Sequence, residues 1–370
     1  MVKRWSGYLI LGMWLLNLLH LYLGFSPWPA SVAAWAASLL TWPWLVGAAR
    51  RQALALYGAA LLLLIFSWWR GASLSPGDWL LPNINMLTMF AAVSTLNLAT
   101  SGLLTGTASW SPFFVAMAVA LTYAPGLQLG SILPFGILAA LLAMGLTAWQ
   151  VERLGVETFE GYPLRLQTLG LPVTLALLVL VIHRFWPGLS ILAVIALVAP
   201  LLALLFMPQA GRGAALKRQV VERFPAIGGQ LVLFLGAGLL AAGINSALSV
   251  LDFGSGHGLP LFNHFGWLEA CLTLLLIFLV AIVGVHPLIS ISGVAPLLWP
   301  LAPDPSLLGM CFLMGWGLAT GTSPLSGSNL ALASRYNLSA GLLLRWNLLY
   351  GLLMYAVACL MMGGFIALHG

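Results

Sequence analysis

The chain is a series of apolar segments separated by short runs of turn-forming residues. A helix that crosses a membrane needs about 20 apolar residues, and Gly, Pro and polar clusters mark the connections between helices. Eleven segments have a suitable length: 8–24, 29–48, 52–70, 80–103, 128–150, 166–184, 188–207, 228–249, 267–285, 306–333 and 340–368. The pattern predicts an all-α polytopic membrane protein with about 11 transmembrane helices.

Two further apolar segments are too short to cross a membrane. They begin and end at prolines that lie thirteen positions apart in both segments, Pro112 and Pro125 in the first and Pro287 and Pro300 in the second. Short, proline-bounded apolar segments between longer ones are typical of re-entrant structure. We therefore predict two re-entrant hairpins, at 111–125 and 286–300.

The two short segments align with an offset of 175 residues, and the same offset pairs segment 52–70 with segment 228–249. Five predicted spans separate corresponding elements, and an odd number predicts an inverted repeat. The predicted divisions are a first repeat at 1–150, a second at 151–337 and a final helix at 338–370. Inverted repeats with interrupted segments at matching positions indicate a secondary transporter.

Polar residues interrupt the apolar segment 315–337, GWGLATGTSPLSGSNLALASRYN. Gly321-Thr322-Ser323-Pro324 interrupts its helical pattern, because proline lacks an amide donor and glycine lowers helix propensity. The sequence thus predicts a broken helix at 306–333. In hydrocarbon, freed backbone groups must be satisfied by protein or by a water-filled cavity, which favours a binding cavity. A proline kink without any ligand is the alternative.

Composition restricts the class of protein. Hydrophobic residues make up 61% of the chain and charged residues 6%, more apolar surface than a soluble fold can bury. The net charge of +6 comes from dispersed Lys and Arg rather than one stripe, so we expect no nucleic acid partner. Cys271, Cys311 and Cys359 lie in apolar segments without CxxC spacing, so we predict neither a disulfide framework nor a metal site.

The basic residues also bear on orientation in the membrane. An N-terminus inside the cell places seven of the 14 cations inside, namely Lys3, Arg4, Arg50, Arg51, Arg184, Arg335 and Arg345. The remaining seven, Arg70, Arg153, Arg165, Arg212, Lys217, Arg218 and Arg223, are then predicted outside. Lys3 and Arg4 beside the first span favour an inside N-terminus, whereas the basic loop 208–226 favours the opposite orientation.

Three stretches carry a family resemblance: QLVLFLGAGLLAAGIN, FLVAIVGVHPLISISGVAPLLWPL, and the broken segment above. They resemble the second half of the ion transporter superfamily, particularly the divalent anion:sodium symporters. The resemblance covers 228–337 well and 52–150 loosely. It implies a fold of 11 spans with two opposed hairpins, and carriage of an anion by an elevator-type movement with sodium as the coupling ion. Where the family has an SNT tip, this chain reads WSPFF and HPLISIS, so the coupling ion stays open between sodium and protons.

The candidate binding residues are the hydroxyls, amide and histidine of the hairpins and the broken helix: Ser111, His286, Ser290, Ser292, Thr322, Ser323, Ser326, Ser328 and Asn329. Hydroxyls, amides and helix N-termini donate to an anion without requiring a buried cation. If sodium is the coupling ion, the candidate ligands are the carbonyls freed at Gly293 and Gly321. His286 is the candidate proton carrier, and a neutral histidine that caps a helix is the alternative.

The expected function is a permease of the cell inner membrane that moves a small carboxylate or inorganic oxyanion. The expected partners are that anion and the lipid bilayer, and a homodimer is left open. The alternatives are an intramembrane enzyme, with Ser326 and His286 as a nucleophile and base, and a flippase for a lipid-linked precursor. An enzyme is not favoured, because Ser326-Gly327-Ser328 lacks a recognisable nucleophile elbow.

Overall fold

The computed structural model describes residues 2–45, 47–81, 83–98, 115–153, 166–251, 264–324 and 336–369, together with Ser326, Asn329 and Ala333. These parts of the chain are helices and their connections, with no strand. In chain order the α-helices are α1 Val2–Leu23, α2 Trp28–Thr41, α3 Gly47–Trp69, α4 Pro76–Leu80, α5 Ile84–Ser94, α6 Val115–Tyr123, α7 Leu129–Arg153, α8 Leu166–Phe185, α9 Ile191–Phe206, α10 Arg212–Arg218, α11 Phe224–Ala226, α12 Gly228–Val250, α13 Trp267–Ile282, α14 Pro287–Leu298, α15 Pro305–Thr322 and α16 Ala340–His369.

Five of the described helices are long and apolar enough to cross a membrane: Lys3–Leu23, Gly47–Trp69, Leu129–Arg153, Gly228–Val250 and Gly341–His369. Large apolar side chains on their surfaces are exposed, for example Leu62 of α3 and Met144 of α7. Apolar side chains of this size are stable on the outside of a helix bundle when lipid surrounds them. The prediction of an all-α, multi-pass membrane protein is confirmed at this level.

The helices form two compact units, and each unit combines an early and a late part of the chain. Unit 1 comprises Met1–Gly106 with Pro163–Ala247, and unit 2 comprises Thr107–Tyr162 with Leu248–Gly370. The predicted division at 1–150, 151–337 and 338–370 is a division by repeats and stays a prediction. The structural units instead place α6 and α7 together with α13 to α16.

In unit 1 the two segments paired by the 175-residue offset, α3 and α12, run in the same direction. Leu45, just before α3, lies against Gly229 at the start of α12. Farther along, the Tyr57 hydroxyl donates to the Val232 carbonyl at 3.0 Å. Farther still, a Cβ on Gly243 would lie 3.0 Å from the Ala60 carbonyl oxygen. Contacts that advance along both helices together mean that they are parallel.

The short paired segments of unit 2, α6 and α14, also share a direction. After α6, the backbone N–H of Gln128 donates to the Ser306 hydroxyl at 3.1 Å, so α6 ends beside the start of α15. A short connection joins the end of α14 to that same helix start. Both short helices therefore end at one end of unit 2. In both pairs the corresponding helices therefore share a direction, whereas the predicted inverted repeat requires opposed directions.

The second predicted hairpin, 286–300, contains one helix rather than a reversal. α14 is continuous over 12 residues, and the chain turns before it, at Val283 to His286. The preceding helix α13 has 16 residues, fewer than a full span requires. The hairpin thus consists of α13 and α14, and its turn lies at the start of the segment that the sequence assigned to it. The first predicted hairpin, 111–125, is described only from Val115 onward.

Unit 1 has a basic end, defined by the start of α1, the end of α2 and the segment from α10 to α12. A Cβ on Gly7 of α1 would overlap the Val220 carbonyl and would lie 2.9 Å from Pro225. A Cβ on Gly228 would lie 2.5 Å from the Thr41 hydroxyl at the end of α2. The N-terminus and loop 208–226 therefore lie at the same end of unit 1, and the predicted assignment of that loop to the side opposite the N-terminus is wrong.

Candidate functional site

The turn that precedes α14 is a Schellman motif, which ends α13 and reverses the chain. The Val285 N–H donates to the Val280 carbonyl at 3.2 Å, and the Gly284 N–H donates to the Ala281 carbonyl at 2.9 Å. Gly284 has a φ of 98°, a left-handed conformation that glycine adopts without a Cβ penalty. His286 follows in extended conformation, and Pro287 occupies the first helical position of α14, where its missing N–H costs nothing.

His286 caps the N-terminus of α14. Its Nδ1 accepts from the Leu288 backbone N–H at 3.2 Å, so Nδ1 carries no proton and Nε2 carries the ring proton of the neutral side chain. The ring also packs edge-on against Trp316 of α15, with centroids 5.2 Å apart and planes at 84°. His286 thus caps α14 through Nδ1, as the alternative prediction proposed. Its Nε2–H remains a donor without an acceptor among the described residues.

The two serines of α14 differ in their hydrogen bonds. The Ser292 hydroxyl donates to the Ile289 carbonyl at 3.1 Å inside its own helix. The Ser290 hydroxyl oxygen is buried and has no hydrogen-bond partner in the described structure. Leaving a buried hydroxyl unpaired costs free energy. A ligand that bonds to the Ser290 hydroxyl would therefore remove this cost.

Gly293 lies in the interior of α14, not at a break. Its carbonyl is therefore part of the helical ladder instead of being freed for a cation. The carbonyl that loses its helical donor is that of Ser292, because Pro296, four residues later, has no N–H. The prediction that Gly293 offers a freed carbonyl is wrong for this reason.

The broken helix ends where its sequence indicates. α15 begins at Pro305, with Asp304 as its cap, and ends at Thr322. The Thr322 hydroxyl donates to the Leu318 carbonyl at 2.7 Å, and Ser323, buried, follows as the C-cap. The Ser326 hydroxyl accepts from the Asn329 N–H at 3.2 Å.

Two asparagine side chains satisfy the carbonyls that the break frees. Nδ2 of Asn329 donates to the Gly321 carbonyl at 3.1 Å and to the Ser323 carbonyl at 2.9 Å. Nδ2 of Asn347, on α16, donates to the Gly321 carbonyl at 2.9 Å. Both lone pairs of the Gly321 oxygen are thereby engaged, so this carbonyl has no lone pair left for a sodium ion in this arrangement.

Sequence reasoning missed Asn347. Its signal was available, since it is an uncharged amide within the long apolar segment 340–368, and polar residues inside membrane helices form hydrogen bonds between helices. Asn347 lies outside the broken segment, so the polar pattern of that segment does not indicate it. Fold geometry alone shows that α16 brings it to the end of α15.

The structure gathers the predicted residues into two groups. His286, Ser290 and Ser292 lie on α14, and Gly321, Thr322, Ser323, Ser326 and Asn329 lie around the end of α15. The contact between His286 and Trp316 connects α14 to α15. Ser111 and Ser328 lie outside the described residues.

A cavity of about 60 Å³ lies beside the second group, between α7, α15 and α16. Its lining is mainly apolar: Ala139, Ala143, Met314, Gly317, Leu318, Tyr350, Met354, Val357, Ala358 and Met361. The Tyr350 ring would lie 3.8 Å from a Cβ on Gly321. The cavity therefore starts next to the asparagine-satisfied break and continues along apolar side chains.

In the described parts of unit 2, the carboxylates lie at helix ends. Glu269 accepts from the Gly266 N–H at 3.0 Å at the start of α13, and Asp304 accepts from the Ser306 N–H at 2.7 Å at the start of α15. Both lie at the other end of these helices from His286. The described residues also include no group of three or more His, Cys, Asp and Glu that could hold a metal ion.

Comparison with protein-family models, curated proteins and solved structures finds no match to this chain. The residues of the site are therefore the basis for inferring a function.

Proposed function

We propose that the chain is a secondary transporter that carries a small anion across the cell inner membrane, with the N-terminal turn of α14 as the anion site. The observation that carries the proposal is the pair of unused donors there. The Ser290 hydroxyl is buried without a partner, and His286 directs its accepting nitrogen to Leu288, which leaves Nε2–H to donate. The positive end of the α14 dipole adds to the attraction for an anion.

The end of α15 serves as the second element of the proposed site. Its carbonyls are held by Asn329 and Asn347, which belong to different segments of the chain. A helix end held by side-chain amides can change partners without leaving bare backbone groups in hydrocarbon. We propose that this exchange accompanies transport. The fold of about 11 spans and the elevator-type movement belong to the same proposal, and the coupling ion is either sodium or the proton.

Uptake into proteoliposomes tests the proposal. Vesicles with reconstituted protein are loaded with unlabelled anion, and entry of the labelled anion is measured for carboxylates, sulfate and phosphate. Ser290→Ala removes the unused donor, and Ser292→Ala, two residues away, removes a hydroxyl already bonded within its helix. We expect uptake to fall about tenfold or more in Ser290→Ala, because a hydrogen bond to a charged group contributes about 1.5–3 kcal/mol. Equal uptake by the two variants would show that the Ser290 hydroxyl does not bind the anion.

The cavity favours a second candidate function, the flipping of a lipid-linked precursor. Its methionine-rich lining suits a hydrocarbon chain better than a hydrated oxyanion, since flexible methionine side chains adapt to irregular apolar ligands. A long-chain alkyl phosphate in the same panel separates the two candidates. A preference for the alkyl phosphate over inorganic phosphate, lost on Met354→Gln, supports the flippase.

A further inference from the structure

The basic end of unit 1 carries an unusual density of cations. Seven exposed basic residues lie on the elements that meet there: Lys3, Arg4, Arg50, Arg51, Lys217, Arg218 and Arg223. Lys3 and Arg4 start α1, Arg50 and Arg51 lie in the first turns of α3, and the other three belong to the segment between α9 and α12. Elements far apart in the sequence thus contribute to one surface.

Contacts inside unit 1 fix this arrangement. Gly7 of α1 lies directly against the backbone of Val220, and Gly228 lies against Thr41. Gln219 is buried, and its Nε2 donates to the Ser94 hydroxyl at 3.1 Å. The segment is therefore packed onto α1 and α5 through Gln219, Phe224 and Pro225, while Lys217, Arg218 and Arg223 remain exposed.

The charge on this surface is not balanced by acids. Glu222 is the acidic residue of the segment, and the other described carboxylate of unit 1, Asp78, belongs to α4. Within the described residues none of the seven cations forms an ion pair. The opposite end of unit 1 carries the described cations Arg70, after α3, and Arg184, near the end of α8.

Aromatic side chains mark the depth of the surface. Trp5 and Tyr8 are 60% and 49% exposed, with ring centroids 5.9 Å apart, and Trp44 at the same end is 54% exposed. Exposed Trp and Tyr at the ends of membrane helices lie at the level of the lipid headgroups. The basic residues next to them are consequently at the depth of the phosphates.

We propose that this basic surface binds the headgroups of acidic phospholipids. Phosphate oxygens accept paired hydrogen bonds from the arginine guanidinium groups, and lysine adds a point charge. Clusters of cations next to a membrane helix attract anionic lipids in this way. Acidic phospholipids are the expected ligands because the unbalanced positive charge lies at the depth of the headgroups. The proposal is independent of the anion site in unit 2.

The test measures the melting temperature of the purified full-length protein in detergent with added phosphatidylglycerol or phosphatidylcholine. A lipid that binds the native state raises the melting temperature by mass action. The variant K217Q/R218Q/R223Q removes three cations of the basic end, and R70Q/R184Q is the matched control at the opposite end. We expect phosphatidylglycerol to stabilise the native protein more than phosphatidylcholine does, the triple variant to lose most of the difference, and the double variant to keep it.

Three results would overturn the proposal: equal stabilisation by both lipids, equal loss in both variants, or full stabilisation by inorganic phosphate alone, which would indicate a soluble phosphate ligand. If the triple variant does not fold, the native protein is tested at rising salt concentration. Bound headgroups predict that the difference between the lipids shrinks with salt. A difference that salt does not change contradicts an electrostatic surface.

Discussion

At the scale of single residues, the candidate site separates side chains that complete the fold from those that leave a donor unused. Thr322, Ser292 and Asn329 donate to backbone carbonyls. Ser290 has a buried hydroxyl without a partner. The sequence shows that all four residues are polar. It does not show which of them bond to the backbone, because whether a hydroxyl donates to its own helix or stays unpaired depends on its rotamer and packing.

His286 offers a way to separate its capping role from its donor role. Asparagine is a good N-cap residue, so His286→Asn keeps an acceptor for the start of α14 and removes Nε2–H. We expect His286→Asn to melt near the native temperature yet bind anions more weakly, and His286→Ala to lose about 1 kcal/mol of stability as well. Melting curves with and without the anion measure both effects. Unchanged anion binding in both His286→Asn, whose amide nitrogen can still donate, and His286→Ala, which has no side-chain donor, would exclude Nε2 as a donor.

The two asparagines should differ in their contribution to stability. Asn329→Ala removes one of two donors to the Ser323 carbonyl, which keeps the Ser326 backbone N–H at 3.1 Å, and one of two donors to the Gly321 carbonyl. Asn347→Ala removes only one of those two. A hydrogen bond contributes about 0.5–1.5 kcal/mol net to stability, and Asn329→Ala loses two whereas Asn347→Ala loses one, so we expect the larger fall in melting temperature for Asn329→Ala. A larger fall for Asn347→Ala would contradict the hydrogen-bond assignment.

At the scale of helices, the pattern of apolar segments predicted most elements and missed their directions. The end of α15 at Thr322 was predictable because Gly321 and Pro324 act locally. The direction of α14 was not predictable, because it depends on whether the chain reverses just before this short segment. Gly284, with its left-handed conformation, makes that reversal, and a glycine in the sequence does not reveal which conformation it adopts.

Helix α1 provides a test of the packing that forms the basic end. Gly7→Ala places a Cβ against the Val220 carbonyl, a backbone atom that moves only with its whole segment, whereas a Cβ on Gly12 of the same helix meets nothing within 4 Å. We expect Gly7→Ala to lower the melting temperature, and Gly12→Ala to be neutral or stabilising by up to about 1 kcal/mol, because alanine favours helix. Equal melting of the two variants would show that α1 and the segment around Val220 are not in contact.

At the scale of the whole molecule, sequence reasoning identified the class of protein and misjudged its topology. Composition and segment length suffice to indicate a multi-pass membrane protein, and five long apolar helices agree. Counting spans placed Lys217 and the N-terminus on opposite sides. That count depended on which short segments reverse the chain, and contacts such as those of Gly7 and Gly228 decide it.

The revised topology predicts one cytoplasmic face for unit 1, since basic residues favour the cytoplasmic side. Single cysteines replace Trp5, Lys217 or Arg70 in a chain whose three native cysteines are changed to alanine. A membrane-impermeant maleimide applied to intact cells should label position 70 and spare positions 5 and 217. Permeabilised cells, in which all three positions should react, are the control. Labelling of only one of positions 5 and 217 in intact cells would restore the topology that span counting predicted.

Anion binding at the start of α14 is measurable as thermal stabilisation of the purified protein. The purified protein, Ser290→Ala and Ser292→Ala are melted with carboxylates, sulfate and phosphate, each with sodium, with potassium, and at two pH values. We expect at least one anion to raise the melting temperature of the native protein and of Ser292→Ala, and to do so about tenfold less potently for Ser290→Ala. If no anion stabilises the native protein, or if Ser290→Ala responds as Ser292→Ala does, the start of α14 is not an anion site.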